Sequence, residues 1–425
     1  MRVLVLGSGA REHALASRLV ADGQAQQVIC APGNPGMAAL GPTTHVDLTD
    51  PNDAAELARR EQVDFTIVGP ELPLSLGVVD RFVDEGRLVF GPSRAAARLE
   101  SSKAFAKAFM ARHHVPTARF HTCQSATEAL TVVRSGMFAF PVVLKADGLA
   151  AGKGVIIAAD RAAAEAAISA LMNDRKFGAA GDCIVIEECL SGPEVSFFVL
   201  SDGARARALA SAQDHKRLLD DDKGPNTGGM GAFAPSVVLD GPLEARITRE
   251  IVEPVIAGMA AEGQPFRGFL YVGLMLTAGG PKVIEFNVRL GDPEAQVILP
   301  LIDEPLLPLL VAGTEGRLTQ TPCRLGHDKF VGVTLASRGY PELSESGQPI
   351  HGVADAEKVS QVLHAGTACR NGDLVTAGGR VLTVVGRGAT FADATARAYA
   401  GVDRIHFDGM QCRRDIGRSA SRIAG

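Results

Sequence analysis

The 425-residue chain contains no tryptophan and only three tyrosines, so it has few flat platforms on which single-stranded nucleic acid could stack. It also lacks a basic excess: 43 Lys and Arg stand against 48 Asp and Glu, a formal charge of -5, which gives a phosphate backbone no overall attraction. No nucleic-acid partner is expected. The seven cysteines, at 30, 123, 183, 189, 323, 369 and 412, include no C-x-x-C pair, and the histidines form no cluster at zinc spacing. They read as reduced, mostly buried thiols of an intracellular protein. No stretch approaches ~18 uninterrupted apolar residues, and the opening VLVLG is too short for the apolar core of a signal peptide. A cytoplasmic protein without a membrane partner is the expectation.

Two familiar nucleotide signatures are missing as well. The stretch KADGLAAGKGV at 145–155 has Asp147 where a P-loop needs its first glycine, and Gly154 where Ser or Thr should follow Lys153. Near the start, GSGARE breaks the pattern G-x-G-x-x-G at Glu12, and the second apolar run ends in Cys30 and Ala31, not in the acid that would hold a ribose. A phosphate or small anion at the N-terminus of the helix beginning near Arg11 fits that loop better. The alternative is a tight strand-to-helix turn that binds nothing.

What the chain does have is domain-scale rhythm. At ~150 residues per domain its length suggests three, and 46% apolar content is that of a globular protein. In the first hundred residues VLVL, QVICA, FTIVG and LVFG each end in a Gly or Pro loop and alternate with helical patterns, among them segments near 51–60 and 75–86. This is the βαβ pattern of a parallel sheet with its crevice at the strands' carboxyl ends. From about 103 comes a compact α+β unit: the helix SKAFAKAFMARHHV, the strand PVVLKAD, the glycine loop, GVIIAAD, a helix near 161–172, then CIVIEECL and EVSFFVLSDG joined by SGP. The polar loop LLDDDKGPNTGGMGA, one amphipathic helix around 243–262 and the strands FLYVGLML and KVIEFNVRL follow. A third region begins near 328, with strands VGVTLAS and RVLTVVGRG and a helix from Phe391 to Arg404.

Three constellations carry chemistry. Alternation along KVIEFNVRL places Glu285, Asn287 and Arg289 on one face and Ile284, Phe286 and Val288 in the core. Glu285 and Asn287 are the hard oxygen donors a magnesium ion takes from protein, phosphates completing its shell, and Arg289 could grip a carboxylate or phosphate. IEECL sets two acids at a strand end before SGP and Glu194, where a hinge could meet an adenine edge and a carboxylate could meet ribose; a charged hairpin turn is the alternative. AQDHKR offers Lys216 and Arg217 beside a glycine-rich loop able to close over a ligand.

Taken in order, Lys103, Lys145, the glycine loop, the acidic hinge and the Glu-x-Asn strand resemble the ATP-grasp fold, and KADGLAAGKGV resembles the loop that closes over ATP phosphates there. The segments GSGAREHA, APGNPG, IVGPELPL, FGPS, LESSKAF, SQDHKR, GPNTGGMGA, EFNVRLGDPE, HAGT and IHFDGMQCRRDIG narrow the resemblance to the phosphoribosylamine–glycine ligase (glycinamide ribonucleotide synthetase) family of purine biosynthesis. The resemblance implies an α/β and α+β chain with a Rossmann-like N-terminal domain at 1–102. An ATP-grasp domain at 103–296, with a mobile lid at about 123–192, would follow. A connecting segment at 297–327 and a small C-terminal α+β domain at 328–425 complete it. It also implies a cytoplasmic, monomeric enzyme that uses ATP with Mg2+ or Mn2+ to join glycine to 5-phosphoribosylamine through glycyl phosphate.

Residue by residue, the resemblance makes Arg289 and Lys145 catalytic and assigns Glu285 and Asn287 to the metal. ATP falls to Lys103, Lys145, Gly148, Gly152, Lys153 and Gly154, to a hinge of Glu187, Glu188 and Leu190, and to Glu194 for its ribose. Gly9, Arg11, Asp214, Lys216, Asn226, Gly229, Gly291, Asp292, Pro293 and Glu294 are the implied substrate contacts. Two positions depart from the family pattern: Ala10 replaces a glycine in the first loop, and Arg338 interrupts a small-residue run before Gly339 and Tyr340. The rivals are a biotin-dependent carboxylase, whose Glu-x-Asn-x-Arg strand continues differently, and a nucleotide-binding protein without turnover.

Overall fold

A computed structural model describes residues 1–149, 154–174, 181–319 and 321–423. Strands β1 (Arg2–Gly7), β2 (Gln27–Pro32), β3 (Phe65–Val68) and β4 (Leu88–Phe90) form a parallel sheet in the order β2-β1-β3-β4. Both faces are covered, which is why the runs are continuously apolar. Leu4 and Leu6 pack with Phe197 and Val272 on one side, Val3 and Val5 with Phe198 and Leu310 on the other. The helix expected near 75–86 is two helices, Glu71–Leu76 and Val78–Asp84, because Gly77 at φ 90° turns the chain left-handed between them. Ala10 opens the helix Ala10–Ala21 and Gly9 before it is extended at φ -84°, so this departure demands no left-handed backbone.

Strands β5 (Phe120–Cys123), β6 (Val142–Ala146), β7 (Val155–Ala158) and β8 (Ile184–Glu188) make a second, antiparallel sheet ordered β5-β8-β6-β7. With the helices Ala126–Arg134 and Arg161–Ile168 it encloses its own core around Leu144, Ile168 and Ile186.

The third sheet begins with β9 (Glu194–Asp202) and β10 (Ala206–Asp214), then a hairpin of β11 (Arg217–Leu219) and β12 (Lys223–Asn226), then β13 (Gly231–Ala234), β14 (Arg267–Thr277) and β15 (Gly280–Asn287). Thus the polar loop at 218–232 is largely strand. Downstream come β16 (Lys329–Ala336), β17 (Gln361–His364), a hairpin of β18 (Thr367–Arg370) and β19 (Asp373–Thr376), and β20 (Arg380–Gly388). The large sheet is eight-stranded, ordered β15-β14-β9-β10-β13-β16-β20-β17. Short β13 pairs β10 on one edge and β16 on the other, so the third region continues the central sheet. Strands β8 and β9 lie in different sheets, which rules out the hairpin alternative for IEECL.

The helix expected as one piece at 243–262 is Gly241–Ile247 and Glu253–Ala261 joined by a π turn at Thr248–Val252. Pro254, which has no N–H to give, follows the irregular turn. The helix expected from Phe391 to Arg404 is Phe391–Val402, two residues short of Arg404, and a further short helix, Arg418–Ile423, follows it. Of the seven cysteines, all free, only Cys30 and Cys123 are buried; four others are partly buried and Cys369, on β18, is exposed, correcting the expectation of mostly buried thiols. Among the described residues no helix is long and apolar enough to cross a membrane.

Candidate functional site

The glycine loop leaves the second sheet at the point where it meets the helix Lys103–Arg112. Ser102 caps that helix by accepting from the Phe105 N–H, and Asp147, just past β6, accepts from the Ala104 N–H at 3.1 Å. Lys103 Nζ donates to Gly148 O at 2.8 Å. Lys145, buried on β6, donates to Ile284 O at 3.0 Å. That carbonyl is free because β15 bulges: Gly273 faces Glu285 and Leu274 faces Val283, so Ile284 has no partner across the ladder. The bulge corrects strict alternation. Val283, not Ile284, lies in the core, while Glu285, Asn287 and Arg289 keep their common half-buried face.

Desolvation raises the Glu285 carboxyl, but Lys216, Lys145, Lys103 and Arg289 together outweigh it and hold the group below its ordinary range. Among the described residues its only ion pair is with Lys216 Nζ, at 4.0 Å. Asn287 Oδ1 accepts from Arg289 Nη2 at 3.1 Å. A charged, lightly engaged carboxylate beside an amide oxygen is a hard-donor pair suited to a divalent cation. Arg289 is more committed than its position in the strand suggests: Nη2 donates to Glu100 at 2.8 Å, Nε to Glu71 at 3.2 Å and Nη1 to Leu290 O. Burial opposes its charge, but Glu100 and Glu71 keep it protonated.

At the hinge, neither acid presents a free side chain. Glu187 lies between Lys107 Nζ, 2.9 Å from Oε2, and Lys145 Nζ, 3.0 Å from Oε1. Glu188 is held by the Arg119 backbone and guanidinium and by Lys282; against its desolvation, these bonds bring the carboxyl down to about 2. What the hinge can offer a ligand is backbone, from Cys189 and Leu190, past the end of β8. Glu194, half exposed at the start of β9, pairs with Lys216 Nζ at 2.9 Å, and Asp214 lies 3.8 Å from the same ammonium. Gly154 precedes β7; Gly152 and Lys153 lie outside the described residues.

The substrate half is built from three loops. Gly229, at φ 114°, lies so close to Pro293 that a Cβ there would sit 2.4 Å from the ring, and a Cβ on Gly9 would be 3.6 Å from Asp292 Oδ2. Arg380 on β20 fastens this junction, donating to Gly228 O and Asp292 O at 2.6 Å each, while Gly228 N donates to Tyr340 OH. Glu294 and Tyr271 both lie 3.1 Å from Ser196 Oγ, and a Cβ on Gly291 would collide with the Glu294 carboxylate. Burial, then the Asp214 charge, pushes Glu294 up to about 7. Asn226 ends β12 opposite Arg217.

The anion expected at the first helix is met by the chain itself. Glu12 accepts from the Gly9 N–H at 2.7 Å and pairs with Arg11 Nε, while Arg11 Nη1 donates to Leu290 O. Arg11 is therefore a buried tie between the first sheet and the loop after β15.

Sequence reading missed Lys107, Arg119, Lys282, Glu71, Glu100 and Arg380. Lys107 had a signal, its four-residue spacing from Lys103 in SKAFAK, which places both on one helix face. The others arrive from distant elements, and no local pattern marks them. Arg338, the second departure, pairs with Asp408 at 2.8 Å, away from these loops.

Family models match nearly the whole chain: the phosphoribosylglycinamide synthetase N domain at 1–100, its ATP-grasp (A) domain at 101–295 and its C domain at 330–419. A phosphoribosylamine–glycine ligase of Ralstonia nicotianae is 48% identical over 424 residues, covering 99% of this chain and 100% of the relative. The crystal structure of a phosphoribosylamine–glycine ligase from Thermotoga maritima superposes with a TM-score of 0.85 at 35% identity, over 98% of this chain and 100% of that one. A biotin carboxylase from Campylobacter jejuni, at 15% identity and TM-score 0.72, over 100% of this chain and 95% of that one, shares the fold alone.

Proposed function

The chain belongs to the phosphoribosylglycinamide synthetase family, and from that premise we infer that it is a ligase of purine biosynthesis, joining glycine to 5-phosphoribosylamine with ATP to give glycinamide ribonucleotide, ADP and phosphate. A carboxylate is a poor electrophile, so glycine first takes the γ-phosphoryl group as glycyl phosphate, and the amine of phosphoribosylamine then displaces phosphate. Such a route asks for positioning and charge neutralisation above all.

The observation that best supports a nucleotide site is the convergence of Lys103 and Lys145 with the Glu285–Asn287 face, where two sheets and the helix Lys103–Arg112 meet. In this reading Lys103, Lys145 and the loop from Gly148 to Gly154 hold the phosphates. The hinge of Glu187, Glu188 and Leu190 takes the adenine, its free backbone lying past the end of β8, and Glu194 takes the ribose. Glu285 and Asn287 hold Mg2+ or Mn2+, which when bound would neutralise phosphate charge. Arg289, held in place by Glu71 and Glu100, is the guanidinium this reading sets beside the acyl phosphate, its charge largely answered by those two acids. Asp214, Lys216, Asn226, Gly229 and Gly291 to Glu294 shape the space for glycine and the amine, with Gly9 and Arg11 bracing it. The second sheet, with its separate core, serves as the lid over about 123–192.

The test is ADP release with magnesium, ATP, glycine and phosphoribosylamine generated in place from ribose 5-phosphate and ammonia, omitting each component in turn. ADP only from the complete mixture, with glycinamide ribonucleotide seen by mass, is the expected result. ADP released with another carboxylate or amine overturns the substrates, and nucleotide binding without turnover under any mixture overturns the ligase.

A further inference from the structure

Lys107 is 2% exposed, in the middle of the helix that starts at Lys103. Burying an ammonium is costly unless its charge and its protons are answered. Here Nζ sits 2.9 Å from Glu187 Oε2 and donates to Thr117 Oγ1 at 2.7 Å, and Thr117 Oγ1 in turn donates to Val283 O at 2.7 Å. The other Glu187 oxygen is 3.0 Å from Lys145 Nζ, an ion pair without a properly directed hydrogen bond. One carboxylate is therefore shared by two lysines, all three side chains buried.

The location matters as much as the charges. Thr117 lies where the chain enters the second sheet, just before β5, and Glu187 where it is about to leave through β8. Val283 is on β15 beside the bulged Ile284, whose carbonyl takes the Lys145 ammonium. A single group thus joins both chain crossings to the large sheet.

We propose that Lys107 is a positioning residue, which by neutralising half of Glu187 and tying it to Thr117 sets Lys145 against the nucleotide phosphates and fixes the lid at its hinge. Without Lys107, Glu187 has one counter-ion left. Lys145 then closes fully onto it and is withdrawn from the phosphates. The inference rests on the reading of this cleft as an ATP site.

The experiment is a double-mutant cycle on the full chain with Lys107→Met, Glu187→Gln and the two combined, plus Lys107→Arg, measuring kcat, the KM of each of the three substrates and the melting temperature. Lys107→Met should raise KM for ATP by about 10- to 100-fold while KM for glycine stays within about twofold, and Lys107→Arg should recover part of the loss. The combined variant should hold ATP better than Lys107→Met alone, because the unanswered Glu187 charge is gone.

An unchanged KM for ATP, a loss spread evenly over the three substrates, or strictly additive effects would each overturn the proposal. Should Lys107→Met fail to fold, the combined variant is compared with Glu187→Gln: an equal KM for ATP supports the inference and a further rise overturns it. A wild-type protein that turns over no ATP sinks the functional reading and this inference with it, whereas an active wild type matched by Lys107→Met sinks the inference alone.

Discussion

Glu285 is the residue on which the functional reading depends most. It is charged, faces the cleft and, among the described residues, makes no hydrogen bond and a single ion pair, to Lys216 at the 4.0 Å limit. Lys216, Lys145, Lys103 and Arg289 lose a counter-charge when Glu285 goes, so its loss costs some stability as it removes a ligand. Glu285→Ala should therefore lower kcat by on the order of 100-fold or more at saturating magnesium, while the protein still folds with a modestly lower melting temperature. Retained ligation in a folded Glu285→Ala protein would withdraw the metal assignment from this strand.

At the scale of elements, the cleft depends on how β6 meets the helix Lys103–Arg112. Asp147 accepts from the Ala104 N–H and lies 3.1 Å from Ser102 Oγ, clipping the base of the glycine loop to the turn that carries Lys103. Asp147→Ala removes a helix-terminal acceptor worth about 1 kcal/mol. In a chain this long that lowers the melting temperature by roughly 2 °C. The functional effect should be larger than the structural one, with KM for ATP rising while KM for glycine holds, as steady-state kinetics on the variant can show. Equal changes in both constants would mean that the clip supports the fold only. The bulge at Ile284 belongs to this scale too: one extra residue in β15 supplies the carbonyl that Lys145 needs.

At the scale of the molecule, two buried histidines join the first and third regions. The His364 N–H donates to His13 Nδ1 at 2.8 Å, and Asn34 donates to both Ser8 O and His364 O. Burial, then His364, brings His13 down to about 3; burial alone brings His364 to about 4. Both stay neutral in the fold, and protonating His13 Nδ1 would break its bond. Below pH ~6.5 the unfolded chain takes up protons that the folded chain refuses, so their contribution is present above pH 6.5 and is lost as pH falls toward 4. By pH 5 the loss is on the order of 2 kcal/mol per histidine. Urea unfolding at pH 7, 6 and 5 should show a shallower decline for His13→Gln, which keeps an acceptor without titrating. Parallel declines in the two proteins would contradict this account.

Much of the fold was legible because its signals are local. Continuous apolar runs ending in glycine loops specify a doubly covered parallel sheet whatever surrounds them, and period-2 alternation puts Glu285, Asn287 and Arg289 together. Gly77 splitting a helix and Ile284 leaving the ladder were harder, since a single residue of irregularity barely disturbs a hydrophobic pattern.

The sequence by itself determined which groups could meet phosphate and metal, because charge, oxygen donors and glycine loops are properties of residue type and spacing. Only the tertiary structure decided which of them are free to do so. Glu187, Glu188, Arg11 and Arg289 spend their charges on Lys107, Lys282, Glu12, Glu71 and Glu100, partners up to 218 positions away, and a buried charge is answered by whatever the fold brings beside it.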